Sequence, residues 1–267
     1  MDTQAQLASI TKALDHIARS LSVIAGTYRA APELTDGVDA YLWDSGSEAL
    51  IAVPHVNRVP LALLQGVAHQ RDILLDNTLA FARGHGANNA LLWGARGMGK
   101  SSMVKAIHAH ITDSPEPDMA RLILIEINRE DIGTLPTLLR FITPRPERFI
   151  IYCDDLSFDR DETSYKALKS VLDGGLEGRP ANTVFYATSN RRHLMPRDMI
   201  ENESSTAINP SEAVEEKVSL SDRFGLWLGF HNCDQDTYLA MIRGYVSHFG
   251  IPVEDDELRA KAIEWAA

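Results

Sequence analysis

Short apolar runs alternate with helical patterns from residue 90 onwards. The runs are Ala90–Trp93, Leu122–Ile127, Phe149–Cys153, Thr183–Ala187 and Leu226–Phe230. Segments that favour helix lie between them, near residues 102–108, 134–141 and 165–172. Apolar runs of this length are typical of strands buried on both faces, and their alternation with helices indicates an α/β fold. The pattern predicts a five-stranded parallel sheet sandwiched by helices.

The flanking segments have different patterns. Apolar residues spaced three and four apart, an a/d stripe, predict a helix from about Gln4 to Ala25. That helix could pair with another chain or lie on its own domain, and the pattern leaves both open. The stripe consists of Leu7, Ile10, Leu14, Ile17, Leu21 and Ile24.

Breaker residues subdivide the rest of the chain. Residues 30–60 contain several prolines and glycines and predict short elements joined by turns. Residues 61–83 predict one helix that stops at Gly84, and residues 234–267 predict two or more helices with a break near Gly250. Residues 201–218 are polar and acidic, as in a solvated surface insertion. We therefore expect an N-terminal region (1–60), an α/β core (61–232) and a partial C-terminal helical lid (233–267).

Composition narrows the class of protein. The chain has 267 residues, of which 45% are hydrophobic and 24% charged, as in ordinary globular proteins. No apolar stretch is long enough to span a bilayer and no secretion signal is visible, so we expect a cytoplasmic protein without a membrane partner. The net charge of −11 argues against a dominant nucleic-acid interface but leaves room for a local basic patch.

Cys153 and Cys233 are expected to be free thiols, and no cysteine–histidine cluster has metal-ligand spacing.

Residues 94–101 form a complete G-x-x-x-x-G-K-S phosphate loop. A short apolar run precedes the loop and a helical segment follows it, which is the context that the motif requires. Glycines let backbone N–H groups turn toward phosphate oxygens, the lysine adds a point charge, and the serine hydroxyl can bind Mg²⁺. The expected ligands are ATP or ADP with Mg²⁺. The residues expected to contact the nucleotide are Gly94, Ala95, Arg96, Gly97, Met98, Gly99, Lys100, Ser101 and Ser102.

Polar residues at the ends of two later strands supply the other half of a hydrolytic site. Asp154 and Asp155 directly follow the third apolar run, and Asn190 lies just after the fourth. Asp154 is expected to hold Mg²⁺ together with Ser101, and Asp155 to polarise the attacking water. Asn190 could hydrogen-bond the γ-phosphate and that water, although asparagine also simply favours turns.

Arg223 lies shortly before the fifth apolar run. A guanidinium there could reach into the nucleotide site of a neighbouring subunit and stabilise transition-state charge. An ion pair within the chain, to Asp222 or another carboxylate, is the competing interpretation.

This set of motifs resembles the AAA+ ATPases, in the order and approximate spacing of that superfamily. The resemblance implies Walker A at the loop, Walker B at Asp154 and Asp155, sensor 1 at Asn190 and an arginine finger at Arg223. "CDDLSF" and "SDRFGLWL" look like bacterial initiators of the DnaA type. The closer resemblance, carried by "NNALLWGARGMGKSSMVKA", "IIYCDDLSFD", "TSNRRHL" and "LSDRFGLWLGFHNCDQDTYL", is to the domain-of-unknown-function family 815, over roughly residues 60–267.

The resemblance also implies some weaker assignments. Asn128 would act as a switch that restrains Asp155, and Val67 and Gln70 would lie beside adenine. The chain stops in a helical pattern at residues 264–267, so no sensor 2 arginine is assigned and Arg259 is not given that role.

Three functions are compatible with these residues. The first is an ATP-hydrolysing motor or switch that assembles into a ring or arc, plausibly a hexamer, and remodels an unknown protein partner. The second is a nucleotide-gated DNA-binding module, like a replication initiator or helicase loader, with the basic run Arg191-Arg192-His193 as its support. The third is a scaffold that binds ATP without hydrolysing it, which the intact Lys100, Asp154, Asp155 and Asn190 argue against.

Overall fold

A single mixed sheet organises the computed structural model. The structure describes residues 11–14, 16–17, 33–158, 164–174, 179–192, 194, 220 and 222–266. Seven strands in this part of the chain pair in the order β2-β1-β4-β5-β6-β3-β7. The strands are β1 (Ala40–Asp44), β2 (Ala49–Ala52), β3 (Ala90–Gly94), β4 (Leu122–Glu126), β5 (Arg148–Cys153), β6 (Thr183–Ser189) and β7 (Leu226–Phe230).

Helices connect the strands and cover the sheet. From residue 33 onwards the described helices are α1 (Ala68–Ala82), α2 (Lys100–Thr112), α3 (Leu135–Ile142), α4 (Ser164–Asp173), α5 (Gln235–His248) and α6 (Asp255–Ala266). Short 3₁₀ turns lie at Leu61–Leu63 and Arg129–Thr134. The single helix predicted over residues 61–83 is wrong: Gly66, at φ +74°, separates the first 3₁₀ turn from α1. That left-handed backbone conformation cannot continue a right-handed helix.

The five predicted parallel strands are confirmed as β3 to β7, and the α/β class is confirmed with them. The sheet is larger than predicted because residues 40–52 form the hairpin β1–β2, whose β1 pairs in parallel with β4. Tyr41 and Trp43 are buried, and the Trp43 indole donates to the Thr134 hydroxyl at 2.8 Å. Leu42 and its cross-strand partner Ile51 are exposed instead, although the hairpin contains short apolar runs at residues 40–43 and 49–53 like those of the other strands.

The core lies on both faces of the central strands. Every residue of β6 is buried, and Ile150, Tyr152 and Tyr186 pack into one apolar cluster with residues of α1 and α2. Because β3, β5 and β6 are parallel, their carboxyl ends meet at one edge of the sheet. Gly94, Asp154 and Asn190 lie at that edge, which is where open parallel sheets bind ligands.

The chain divides into two compact units, residues Met1–Leu34 and Thr35–Ala267. In the first unit, residues 11–14 and 16–17 are helical, and Leu14 and Ile17 are largely exposed. The rest of the predicted stripe and the acidic segment 201–218 lie outside the described residues. The division at residues 60 and 232 stays a prediction, although β1 and β2 belong to the same sheet as the core. Among the described helices, none is long and apolar enough to cross a membrane.

Candidate functional site

Residues 94–101 form a tight loop between β3 and α2. Gly94, Gly97 and Gly99 all have positive φ, at 130°, 76° and 82°. A Cβ on Gly94 would lie 1.9 Å from the carbonyl oxygen of Phe230 in β7, so a side chain there would clash with backbone. The same carbonyl accepts from the Ala95 N–H at 2.9 Å, which fixes the start of the loop against the sheet. All three glycines therefore suit the positive φ of the loop, and Gly94 is also needed for close packing against β7.

Lys100 is the first residue of α2, and it is 6% exposed. Its ammonium donates to the carbonyls of Gly94 and Ala95 at 3.0 and 2.7 Å, and to the Asn190 side-chain oxygen at 3.2 Å. Desolvation lowers the pKa of Lys100, and the charges of Asp154 and Asp155 oppose that shift. The loop thus presents a positive charge at the N-terminus of a helix, where an anion is also favoured by the helix dipole.

Asp154 links α2 to the end of β6. Its Oδ1 atom accepts from the Ser101 hydroxyl at 2.7 Å and from the Thr188 hydroxyl. Desolvation acts to raise the pKa of Asp154, but hydrogen bonds, first from these two hydroxyls, outweigh it and lower the pKa. A carboxylate and a hydroxyl in contact form a set of hard oxygen donors that suits Mg²⁺. The predicted pair of metal ligands, Ser101 and Asp154, is therefore brought together.

Asp155 is exposed at φ +48°, in the left-handed region. Its N–H donates to the Thr188 hydroxyl at 2.9 Å, and its carboxylate accepts from the Asn190 amide at 2.7 Å. Asn190 thus joins Asp155 on one side to Lys100 on the other. The two residues predicted to act on water are adjacent, as expected from their places at neighbouring strand ends.

These side chains line one cavity of about 360 Å³. Leu64 and Tyr245, which were not predicted, close its side; Tyr245 belongs to α5, which packs on the 3₁₀ turn at Leu61–Leu63. The lining residues are Leu64, Arg96, Gly97, Gly99, Lys100, Ser101, Ser102, Asp154, Asp155, Thr188, Asn190 and Tyr245.

A second cavity of about 230 Å³ also adjoins the loop, where buried Met98 contributes to its wall. Val67 and Gln70 line it, as do residues 231–234 and Thr237. The Gln70 amide donates to the Gly229 carbonyl at 2.7 Å, which ties α1 to β7. The two residues predicted to lie beside a base therefore share a cavity next to the phosphate loop.

Two predicted residues have other partners. Arg223 forms an ion pair with Asp173 at the end of α4 in the same chain, as the competing interpretation expected. The Asn128 amide donates to Asp131 at 3.3 Å, whereas the carboxylate of Asp155 accepts from Asn190. The roles predicted for Arg223 in a neighbouring subunit and for Asn128 as a switch stay predictions.

Thr188 is a further site residue that sequence reasoning missed. It is 2% exposed, and its hydroxyl contacts both Asp154 and the backbone of Asp155. The available signal was a hydroxyl two residues before Asn190, near the carboxyl end of the strand.

Other candidate groups are accounted for within the described residues. Cys153 and Cys233 are both free thiols, as predicted; Cys153 is buried, which raises its pKa to about 12, and Cys233 is partly buried. The described residues contain no cluster of three or more histidine, cysteine or acidic side chains that could hold a metal. Arg191 and Arg192 are exposed, and the Arg192 guanidinium lies 5.3 Å from the centre of the Trp93 ring.

The sheet, which is parallel apart from the β1–β2 pair, carries a phosphate loop after β3 and paired carboxylates after β5, and this arrangement is that of the AAA+ fold. Two solved structures share it: a variant of RuvB from Thermotoga maritima and the Aeropyrum pernix ORC1 protein in complex with DNA, both at a TM-score of 0.51. The identities are 16% and 14%, and the matches cover 76% and 69% of this chain. The matched parts span 58% and 50% of those two proteins. At these identities the likeness establishes the fold alone.

The chain belongs to the family described as "Protein of unknown function (DUF815)", which matches residues 36–267. The match begins earlier than the predicted 60, and it includes the hairpin β1–β2. Among curated proteins, no match was found.

Proposed function

We propose that this protein binds ATP and hydrolyses it to ADP and phosphate with Mg²⁺ as cofactor. The observation that carries the proposal is the convergence of Lys100, Ser101, Asp154, Asp155 and Asn190 on one cavity. These residues come from α2 and from the ends of β5 and β6, so they meet only because the strands are parallel neighbours. A scaffold that only binds nucleotide would not require the water-directed pair Asp155 and Asn190.

The triphosphate would bind at the N-terminus of α2. The positive-φ glycines leave loop N–H groups available to its oxygens, and Lys100 provides a charge that can move from its present carbonyl partners to the phosphates. Ser101 and Asp154 would hold Mg²⁺, which when bound neutralises charge on the phosphate oxygens. Val67 and Gln70 would place the adenine in the second cavity, and Tyr245 brings α5 close enough to respond to occupancy.

Asp155 would accept a hydrogen bond from the attacking water and polarise its O–H bond. The water oxygen forms a bond to the γ-phosphorus as the bond to the β,γ-bridging oxygen breaks, and ADP leaves. Asn190 donates to Asp155, and beside a bound γ-phosphate it would donate to that group instead. Aspartate is one carbon shorter than the glutamate common at this place in the superfamily, so a slow rate is expected.

Assembly would complete the site. Arg223 pairs with Asp173 at the end of α4, and it does not line the nucleotide cavity of its own chain. Phosphoryl transfer commonly uses an arginine that a second subunit or partner supplies. A ring or arc of identical subunits, such as a hexamer, would let Arg223 of one subunit reach the nucleotide of the next. The assembly would act as a motor or switch on a protein partner.

Turnover per subunit, measured against protein concentration with Mg²⁺ and ATP, tests this proposal. A rate that rises with concentration and then reaches a plateau is expected. ATP binding without turnover at any concentration would instead favour a binding scaffold and contradict the hydrolytic assignment.

A DNA-binding role is the second candidate. The observation that favours it is the exposed pair Arg191 and Arg192, of which Arg192 lies over the Trp93 ring, since cationic and aromatic side chains together suit single strands. The solved structure of ORC1 contains DNA. Salt-dependent, nucleotide-dependent binding of single-stranded DNA that is lost in Arg191→Ala/Arg192→Ala would support this role; salt-independent or absent binding would exclude it.

A further inference from the structure

Thr188 makes an unusual set of contacts for a buried threonine. Its hydroxyl donates to Asp154 and accepts from the Asp155 N–H, and its carbonyl accepts from the Leu156 N–H at 2.7 Å. One residue at the end of β6 therefore binds three consecutive residues after β5. Val184 and Tyr186, which precede it at alternate positions, pack in the core cluster on the side of α1 and α2. Alternation along the strand directs the Thr188 side chain to that same side.

The turn at Asp155 depends on such support. Asp155 and Glu48 are the non-glycine residues with positive φ in the described part of the chain. An aspartate can adopt this conformation, but it does so against a steric preference for right-handed backbone. The hydrogen bond from the Asp155 N–H to Thr188 compensates for that preference and orients the carboxylate toward Asn190.

We infer that Thr188 is a positioning residue that sets the geometry of both carboxylates, one for Mg²⁺ and one for water. The inference rests on the proposed function. A single hydroxyl can donate to a carboxylate and accept from a backbone N–H at the same time. Valine has nearly the same shape and can do neither. Loss of the hydroxyl would leave the Asp154 carboxylate without one of its two hydroxyl partners and would release the turn at Asp155.

Three variants of the full chain separate positioning from general support. Thr188→Val removes the hydroxyl, and Thr188→Ser keeps it. Thr183→Val is the matched control, because Thr183 is also buried in β6 but lies at its opposite end, where its hydroxyl contacts Asn182. Turnover and the melting temperature are measured for each variant. The affinity for a fluorescent ATP analogue is measured first with a chelator that removes Mg²⁺ and then with increasing Mg²⁺.

Thr188→Val is expected to lower turnover about tenfold or more, in line with the loss of a hydrogen bond to a charged group. The Mg²⁺ concentration needed for half of the change in affinity for the ATP analogue should rise several-fold. The affinity measured with chelator should stay within about twofold of the wild-type value, because the phosphate loop is unchanged. Thr188→Ser and Thr183→Val should both behave like wild type.

The inference is overturned if Thr188→Val keeps the wild-type Mg²⁺ response, if Thr188→Ser is equally impaired, or if affinity in chelator falls to the same extent. A wild-type protein without turnover would contradict the proposed hydrolysis. The Mg²⁺ response of analogue binding would still decide the role of Thr188.

Discussion

The side-chain amide of Asn190 bridges Asp155 and the phosphate-loop lysine. Its nitrogen donates to the Asp155 carboxylate at 2.7 Å, and its oxygen accepts from Lys100 at 3.2 Å. Asn190 thus holds Asp155, which is expected to act on water, and also contacts Lys100, which is expected to bind phosphate. A bound triphosphate that attracts Lys100 would weaken the contact between Lys100 and Asn190. The Asp155 carboxylate would then be available to bind water.

Asp155→Asn should trap bound ATP. The amide keeps the shape of the carboxylate but cannot act as a base toward water, so turnover is expected to fall by a factor of about 10² to 10⁴. ATP affinity should stay near the wild-type value, because Lys100 and the loop are unchanged. Single-turnover hydrolysis and equilibrium binding measure the two effects. Asp36→Asn, at an exposed turn, is the control, and unchanged turnover in Asp155→Asn would refute the assignment of the base.

Arg223 and Asp155 should complement each other between subunits. Arg223→Ala and Asp155→Asn are each expected to be nearly inactive. Mixing them should restore part of the activity, because Arg223 of one variant can face the intact Asp155 of the other. The mixing ratio that gives the highest rate reports on the assembly. Absence of recovery in a mixture shown to co-assemble would mean that Arg223 serves only within its own chain, where it pairs with Asp173.

Gly94→Ala should destabilise the core. The added methyl would overlap the Phe230 carbonyl at a φ of 130°, so β3 and β7 would have to separate. We expect a loss of roughly 2 kcal/mol or more in the free energy of unfolding. Gly97→Ala is the matched control: its φ is also positive, but its Cβ would meet nothing within 4 Å. Urea denaturation without nucleotide measures the unfolding free energy of both variants. Equal losses would show that the positive φ, and not the clash with the Phe230 carbonyl, causes the destabilisation.

His108 should make stability depend on pH. The side chain is buried in α2 with Nε2 at 3.2 Å from the Leu122 carbonyl, and desolvation lowers its pKa from 6.5 to about 4. The unfolded chain therefore binds the proton first as pH falls, and stability decreases between pH 6.5 and 4 by at most roughly 3 kcal/mol. Denaturation at about pH 7.5 and about pH 5, on either side of the ordinary histidine pKa, should show this loss in wild type.

Two histidine variants test that assignment. His108→Gln should flatten the dependence of unfolding free energy on pH. His110→Gln should leave it unchanged, because His110 is exposed on the same helix. An equally steep dependence in His108→Gln would assign the effect to other groups.

The sequence alone determined the core of the sheet and most of the polar residues that meet at its edge, because those features follow from local patterns. Strand, loop and helix are contiguous around residues 94–101, and the ends of parallel strands meet at one edge, so Asp154, Asp155 and Asn190 had to approach Lys100. Only the tertiary structure decided the partner of Arg223, the contacts of Thr188 and the approach of Tyr245. Each of these depends on contacts between segments far apart in the sequence, whose geometry is set by packing and not by local propensity. The hairpin β1–β2 belongs to the same class, since it is recognisable as part of the sheet only once β4 lies beside it.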